Sequence, residues 1–415
     1  MALRISLLTL NVWGIPFISS DREIRMQAIG DYLAKGEFDI VSMQELWLEN
    51  DFKLLQKITK NALPYSHYFY NGAFGSGLAI FSKYPLISVF FHAWSVNGYV
   101  HRIQHGDWFG GKGVGLCRIS IDNRIVNIYV THLHAEYDKV NDEYKAHRVI
   151  QAFDTAQFIA STRSDAVLQI LAGDLNIDPT DIAYNDLRLC CLLFSRVILG
   201  ASKMQDTCTD DEMGTFDCKR NSYTDLSLIK NIPKGQRIDH IFVRAAPNHQ
   251  VLVKEYGLPF PERIPGRSFS YSDHEAVSVQ LKVFKSPILE GEDKFCEDTE
   301  GNSRTKAALL ECISICDENL KTLTMNRLMY VGMSAVLVLI LFVMIDVAPP
   351  YGFKMVYLIF KIIITSIFAY FLFMGTLWNT IERNGVFAGK LSMEIALNHL
   401  ENDLGCKWTT VSGAF

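Results

Sequence analysis

Val167-Leu168-Gln169-Ile170-Leu171-Ala172-Gly173-Asp174-Leu175-Asn176 decides how the N-terminal part of this chain folds. The first six residues form a short, mostly apolar run of the kind that suits a buried strand. The run stops on a glycine, a carboxylate and an amide. One such ending reads as an ordinary turn, because Asp and Asn bond their own backbone there. Five more places repeat it. Leu7-Leu8-Thr9-Leu10 ends in Asn11, Ile40-Val41-Ser42-Met43 ends in Gln44-Glu45, and Ile128-Tyr129-Val130 ends in Thr131-His132. Arg237-Ile238-Asp239-His240 opens another strand, and Ser272-Asp273-His274-Glu275 opens the last. Turns do not account for carboxylates, amides and imidazoles at six strand termini. A sheet that gathers its strand ends along one edge does.

Outward from these ends, strands are predicted over 3–10, 39–43, 77–81, 125–130, 167–171, 238–243 and 276–283, with helices over 21–34 and 141–159. Strands outnumber helices and often follow one another directly. Residues 1–285 are therefore expected to form an α+β sandwich in preference to a doubly wound parallel sheet. By alternation along its strand, His240 should face away from Asp239, which makes it structural. The chain has 415 residues, with 40 Lys+Arg against 45 Asp+Glu and a net charge of −5, which argues against a nucleic-acid partner. Nine cysteines, odd in number and without metal-ligand spacing, read as free thiols of a reducing compartment. The first ten residues read as a strand and carry no cleavage signal, so export is not expected.

Beyond residue 285 the composition changes. Residues 286–303 hold six acids and one lysine, the character of a linker. A juxtamembrane helix is expected over 304–327. Leu328–Ile345 is uncharged, and Met355–Trp378 is interrupted only by Lys361. Apolar runs of this length suit a bilayer, so 328–345 and 355–378 are read as two transmembrane helices in a hairpin. Residues 382–415 would form a C-terminal helix and tail. Lys321, Arg327, Arg383 and Lys390 flank the hairpin, against Lys354 in its turn, joined by Lys361 if the second span begins at Ile362. This bias puts the catalytic domain and both termini in the cytosol, in a multi-pass protein of the endoplasmic reticulum or another endomembrane. Leu309, Ile313, Cys316, Leu320 and Leu323 share heptad-like spacing with Met393, Leu397, Leu400 and Leu404. Such flanks could form an antiparallel stalk, a homodimer seam, or two helices lying on the membrane.

Together, Leu10-Asn11-Val12-Trp13, Gln44-Glu45, Thr131-His132, Gly173-Asp174-Leu175-Asn176, Arg237-Ile238-Asp239 and Ser272-Asp273-His274 resemble the ordered motifs of the endonuclease/exonuclease/phosphatase superfamily. The resemblance implies a four-layered α/β sandwich and Mg²⁺-dependent phosphodiester chemistry, with Mn²⁺ able to substitute. Mg²⁺ wants oxygen ligands and needs only one or two carboxylates. Glu45 is the expected ligand, with Asn11 ligating or positioning phosphate. His274 is the candidate base, oriented by Asp239, and Asp174 or Asp273 shares in polarising water. His132 and Asn176 would donate to phosphoryl oxygens as charge builds there. His134 and His240 lie beside these positions without matching them.

Trp13-Gly14-Ile15-Pro16, Asn97-Gly98-Tyr99, His105 to Phe109, Gly111 to Gly115, Thr131 to Tyr137 and Ala146-His147-Arg148 further resemble the animal neutral sphingomyelinases. That likeness implies sphingomyelin, or a related choline phospholipid such as lyso-platelet-activating factor or lysophosphatidylcholine, as the membrane lipid substrate. Sphingomyelin would give ceramide and phosphocholine. A nuclease would need a basic face, and an inositol-lipid phosphatase would need clustered cations for several phosphates; neither stands out. A scaffold would be free to lose a motif residue, yet all are present. Gly106 to Gly113 fits a P-loop except at Gly113, where a hydroxyl should stand, and a strand-like run follows. Asp107 and Lys112 instead resemble the family's Asp–Lys pair. Lys112 is expected either to contact phosphate or to pin the glycine loop, the alternative being a surface ion pair of little energy. The aromatics at 90, 91, 94, 99, 108 and 109 could hold a choline, meet lipid or pack the core. The proline-rich segment 256–271 is expected to be an ordered loop near the site.

Overall fold

β1 (Leu3–Asn11) explains why the motifs meet. Its odd positions Leu3, Ile5 and Leu7 face one apolar core and its even positions Leu8 and Leu10 face another, so both sides of the strand are buried. A strand covered on both faces needs a continuous apolar run, and that is what residues 3–10 supply. The structure, a computed structural model, describes residues 2–138, 141–177, 202–208, 213–225, 227, 234–286 and 299–403.

Two six-stranded sheets pack face to face. The first runs β11 (His249–Gly257), β12 (Val277–Lys285), β1, β2 (Ile40–Gln44), β4 (Ala79–Ser82), β3 (Tyr65–Tyr68). The second runs β5 (Leu86–Ala93), β6 (Gly113–Ile121), β7 (Arg124–His132), β8 (Leu168–Asp174), β10 (Asp239–Ala245), β9 (Gln205–Asp206). Helices α1 (Arg22–Leu33) and α2 (Glu49–Thr59) cover the outer face of the first sheet, burying Met26, Ile29, Leu33, Phe52 and Leu55. Helix α3 (Lys145–Ser161) covers the second, where the Phe158 ring meets Tyr129. The result is the four-layered sandwich. Each Leu-sized side chain buried between layers contributes roughly 1.5–3 kcal/mol.

β1 and β2 run parallel, as do β7 and β8, while β10 is antiparallel to β8 and β12 to β1. Strands running toward one edge bring their C-terminal ends there, and strands running away bring their N-terminal ends. Asn11 therefore pairs with Gln44, and His132, Asp174 and Asp239 stand in register on three neighbouring strands. The predicted segments are all present within a few residues. Helix α2 and strands β3, β5, β9 and β11 were not expected, although α2 buries Phe52, Leu55 and Thr59 at helical spacing. The segment 256–271 is ordered by packing: Phe260, Ile264 and Tyr271 are buried against the α1 layer, and the Tyr32 hydroxyl donates to the Pro259 carbonyl at 2.9 Å.

The second unit, Leu309–Phe415, is a helical hairpin. Helix α4 (Thr299–Asp346) runs without interruption through the segments read as a juxtamembrane helix and a first membrane helix. Helix α5 (Lys354–Phe373) passes through a π turn at Met374–Trp378 into α6 (Asn379–Asp403). The arms pair from Tyr357, donating to the Met344 carbonyl, through Asn379, donating to the Leu323 carbonyl, to Lys390 at 2.6 Å from Asp317. A Cβ on Gly375 would lie 3.0 Å from Tyr330 and Val331, so a glycine permits the close approach. Leu309, Cys312, Cys316, Leu320, Leu323 and Met393 are buried along the hairpin. Much of the heptad pattern thus faces inward along an antiparallel stalk within the chain, while Leu397 and Leu400 are only partly covered and Leu404 lies outside the described residues; the homodimer is not supported. Ile313 is only partly covered, because Cys312 and Ile315 take the buried phase. Both arms are long and apolar enough to cross a membrane, and Leu339, Phe342, Val343, Ile359, Phe360 and Ile362 are exposed, with no protein core over them. Most of the acidic linker and the tail after 403 lie outside the described residues. Among the described residues, Cys117, Cys208, Cys218, Cys312 and Cys316 form no disulfide.

His147 sits in a buried aromatic box with Tyr99, Tyr144 and His134, and its Nδ1 accepts the Gly98 N–H at 3.1 Å. Burial, with help from His134 and Arg148, lowers its pKa to about 3. Below pH 6.5 the unfolded chain gains a proton there that the folded chain refuses, so stability falls with pH. Between pH 7 and 5 this one group should cost about 2 kcal/mol. Thermal melting in detergent should show that slope, and a His147→Phe variant that folds should have a shallower one.

Candidate active site

Asn11 ends β1 with its side chain buried at the edge where both sheets converge. Its amide donates to Glu45 Oε1 at 3.1 Å and to Asp174 Oδ2 at 3.0 Å, and its oxygen accepts the Trp13 N–H at 3.0 Å. Glu45 follows β2 with a left-handed backbone, φ 56°. Its carbonyl accepts the Gly14 N–H, and a Cβ on Gly14 would stand 2.4 Å from that oxygen. Only glycine lets the two strand ends close so tightly. Burial, opposed by the Asn11 hydrogen bond and by Lys112, raises the Glu45 pKa.

On the second sheet, Asp174 Oδ2 lies 3.5 Å from His132 Nε2 and 3.8 Å from His274 Nε2. Burial pushes the Asp174 carboxyl up to about 6, against the pull of His274. The Asp239 carboxylate receives His274 Nδ1–H at 2.9 Å, so that ring's proton is fixed on Nδ1 and Nε2 faces the site. Burial disfavours charge on His274, but Asp239, Asp174 and Asp273 outweigh it and hold its pKa well above the usual imidazole value. Ser272 Oγ donates to the Asn11 carbonyl at 2.7 Å and ties the His274 loop to β1. Glu45, Asn11, Asp174, His274 and Asp239 thus form one connected chain of contacts. Asp273 adjoins it, raised to about 6 by burial.

Lys112 and Asp107 form a buried ion pair, with side chains 1% and 7% exposed, so the weak surface pair is excluded. Lys112 Nζ also meets His132 Nε2 at 3.2 Å and the Leu133 carbonyl at 3.3 Å. An ammonium cannot accept, so His132 Nε2 takes its proton and the ring N–H lies on Nδ1. Burial, then Lys112, holds the His132 pKa well below the ordinary value. The Tyr137 hydroxyl and the Ala135 N–H hold the other Asp107 oxygen. Asn176, in a left-handed turn, donates its backbone N–H to Asp174 Oδ1 and an amide proton to the Leu133 carbonyl, so it positions the β8 end. His134 bonds the Ala135 carbonyl, and His240 lies between Arg237 and the Ile177 carbonyl.

With this edge in view, likenesses to known proteins become specific. Residues 8–274 match the Endonuclease/Exonuclease/phosphatase family model. A Drosophila melanogaster protein named putative neutral sphingomyelinase is 45% identical over 97% of this chain and 98% of its own. The chain belongs to the neutral sphingomyelinases of that family. Human sphingomyelin phosphodiesterase 2 is 38% identical over 69% of this chain and 66% of its own. The crystal structure of sphingomyelinase C from Streptomyces griseocarneus shares the fold, with a TM-score of 0.51 and 17% identity over 67% of this chain and 99% of that one. The protein is accordingly a phosphodiesterase hydrolase.

As a member of this family it should hold a divalent cation, and the residues present fit one. Glu45 Oε2 is buried without a hydrogen-bond partner among the described residues. A carboxylate oxygen left so, beside Asn11, is costly unless a cation meets it. Asp174, Asp239 and His274 also bring donor atoms within 4.8 Å of one another. There, however, His274 Nδ1 and Asp239 already bond each other, and imidazole is a poor match for a hard ion.

Arg25 escaped the sequence reading. It lies on the apolar face of α1, one turn before Ile29, and is fully buried. Its guanidinium donates to the carbonyls of Val12, Trp13, Ser20 and Tyr271 at 2.7, 2.7, 2.9 and 3.3 Å. It also lies over the Trp13 ring. These carbonyls follow Asn11 and precede Ser272-Asp273-His274, so Arg25 fixes the spacing between the Glu45 side and the His274 side. Thr215 was missed as well; its hydroxyl accepts the Ile238 and Asp239 N–H groups, each at 3.1 Å. Only a charged residue in the buried phase of a helix could have flagged Arg25. Nothing flags Thr215.

Arg25→Lys, which keeps the charge and loses the fork, should lower kcat roughly 10-fold or more for lost bonds worth about 1–3 kcal/mol, with KM little changed. Lys112→Met should lower stability by about 3–5 kcal/mol by stranding Asp107, and the Lys112→Met/Asp107→Asn double variant should recover most of the melting temperature.

Proposed function

We propose that this protein hydrolyses sphingomyelin in the manner of a phospholipase C, releasing phosphocholine and leaving ceramide in the membrane. The observation that carries this is the buried His274–Asp239 pair, facing Asp174 and joined through Asn11 to the unpartnered oxygen of Glu45. The substrate follows from relatives that match nearly the whole chain and are named for sphingomyelin. Lys112 and Arg25 support this choice. Both are already committed to internal partners, which leaves neither to hold a second phosphate. A headgroup with one phosphate and a quaternary ammonium suits such a site.

Glu45 and Asn11 would hold Mg²⁺, or Mn²⁺ in its place, and the ion would supply Lewis-acid withdrawal of charge from a nonbridging phosphoryl oxygen. His274 Nε2, its tautomer set by Asp239, accepts a proton from water as the water oxygen bonds phosphorus. Asp174, at 3.8 Å, stabilises the imidazolium that results. The bond between phosphorus and the ceramide oxygen breaks, that oxygen takes a proton from solvent, and His274 returns the proton it took from water to solvent, so the ring is neutral again. Lys112, bonded to His132 Nε2, keeps that ring oriented beside Asp174. His274 acts in its neutral form, which the surrounding carboxylates disfavour, so turnover should rise as pH rises toward its raised pKa. Lysophosphatidylcholine and lyso-platelet-activating factor present the same headgroup and belong to the same reading. The exposed apolar arms would anchor the protein in an endomembrane as a two-span hairpin, and the flanking Lys and Arg residues favour a cytosolic catalytic domain.

Purified full-length protein should release phosphocholine from sphingomyelin micelles with Mg²⁺ and lose the activity with EDTA. His274→Ala should reduce turnover by about 10²–10⁴-fold. Phosphate release from an inositol lipid, without phosphocholine release from sphingomyelin, would refute the assignment.

A further inference from the structure

Loops at the catalytic edge carry apolar side chains that face solvent. Phe17 is 108% exposed and Ile18 is 70% exposed, at the tip of the loop that follows Asn11. Phe17 also holds a left-handed backbone, φ 65°, unusual for a bulky residue. The loop is not loose at its base. Arg25 grips it at Val12, Trp13 and Ser20, and the Ser19 N–H bonds the Ile15 carbonyl. A second apolar prong stands on the Lys112 side of the site. Phe74, 61% exposed, and Phe109, 40% exposed, meet edge to face, on loops joined by the Asn71 amide bond to the Gly111 carbonyl. Asp107, two residues before Phe109, is the partner of Lys112.

We infer that Phe17, Ile18, Phe74 and Phe109 form an interfacial rim that dips into the lipid surface around the active site, so that the headgroup meets His274 without leaving its membrane. The inference rests on the sphingomyelinase reading for its reason, and on the exposed loops for its evidence. Three observations favour a lipid surface over a protein partner. Residues 14–20 (Gly-Ile-Pro-Phe-Ile-Ser-Ser) carry no charge, which fits a zwitterionic surface and offers no ionic specificity. A stable protein interface needs about 800 Å² per partner, far more than two separate prongs of two side chains supply. Aromatic and aliphatic tips on loops held rigid at their roots are suited to shallow insertion beneath headgroups, and they need no matching shape. The same chain also carries two helices long and apolar enough to cross a membrane.

Full-length protein in nanodiscs tests this directly. Phe17→Trp adds one indole to the six native ones, and its emission is taken as the difference from the parent. In nanodiscs of phosphatidylcholine brominated near the headgroup end of its chains, at least half of the added emission should be quenched. Added emission that stays unquenched and water-like would overturn the rim, and so would a blue-shifted but unquenched signal, which means that protein covers the tip. A kinetic arm separates this from the activity itself. Phe17→Ser/Ile18→Ser should raise the KM for sphingomyelin in mixed micelles about 10-fold and leave kcat/KM on a short-chain sphingomyelin, held below its micelle concentration, unchanged. Equal losses on both substrates, or none on either, would contradict the rim. Wild-type protein inactive on both would refute the proposed reaction, while quenching still decides the rim.

Discussion

Two protons on one amide hold the site together. Asn11 donates to Glu45 on its own sheet and to Asp174 on the other, where two buried carboxylates would otherwise repel. The rest of the edge depends on that bridge. Asp174 Oδ2 is shared among Asn11, His132 and His274, and Asp239 fixes the His274 ring from the next strand. Around the bridge, Gly14 permits the close approach, Ser272 draws the last loop to β1, and Arg25 spans the carbonyls on either side. The chemistry is thus a consequence of sheet register: three neighbouring strands place His132, Asp174 and Asp239 side by side.

Much of this could be read from the chain, for a physical reason. Strands alternate and end sharply, so polar residues at their termini stand out against apolar runs, as at Ala172-Gly173-Asp174. The same logic placed His240 on the face opposite Asp239, where it lies buried between Arg237 and Ile177. What escaped involves side chains acting on backbone far away in sequence. Arg25 reaches across to Tyr271, and Thr215 supports Asp239, yet neither has a local signature. Lys112 shows the same limit from another side. Its partner Asp107 was legible, but its burial and its grip on His132 were not, because pairing in sequence says nothing about solvent. In the second unit the apolar periods showed both arms, and only the packing showed that Leu309, Cys316, Leu320, Leu323 and Met393 of the heptad flanks are buried within the hairpin.

The aromatics divide along the same line. Trp94 and Tyr99 are buried, and Phe91 packs on the core beside Phe69. Phe109 and Phe90 remain exposed. Periodicity marks such residues equally, and only neighbouring layers decide which of them meet water or lipid.

The location of the metal is the most exposed point of this picture, since Glu45–Asn11 and Asp174–Asp239–His274 are rival cages within one cluster. Calorimetric titration of the full-length protein with Mn²⁺ decides between them. One ion per chain is expected, with affinity falling at least 100-fold in Glu45→Gln and persisting in His274→Ala. Loss of binding in His274→Ala, with Glu45→Gln unaffected, would contradict the assignment of Glu45 to the metal and His274 to the proton.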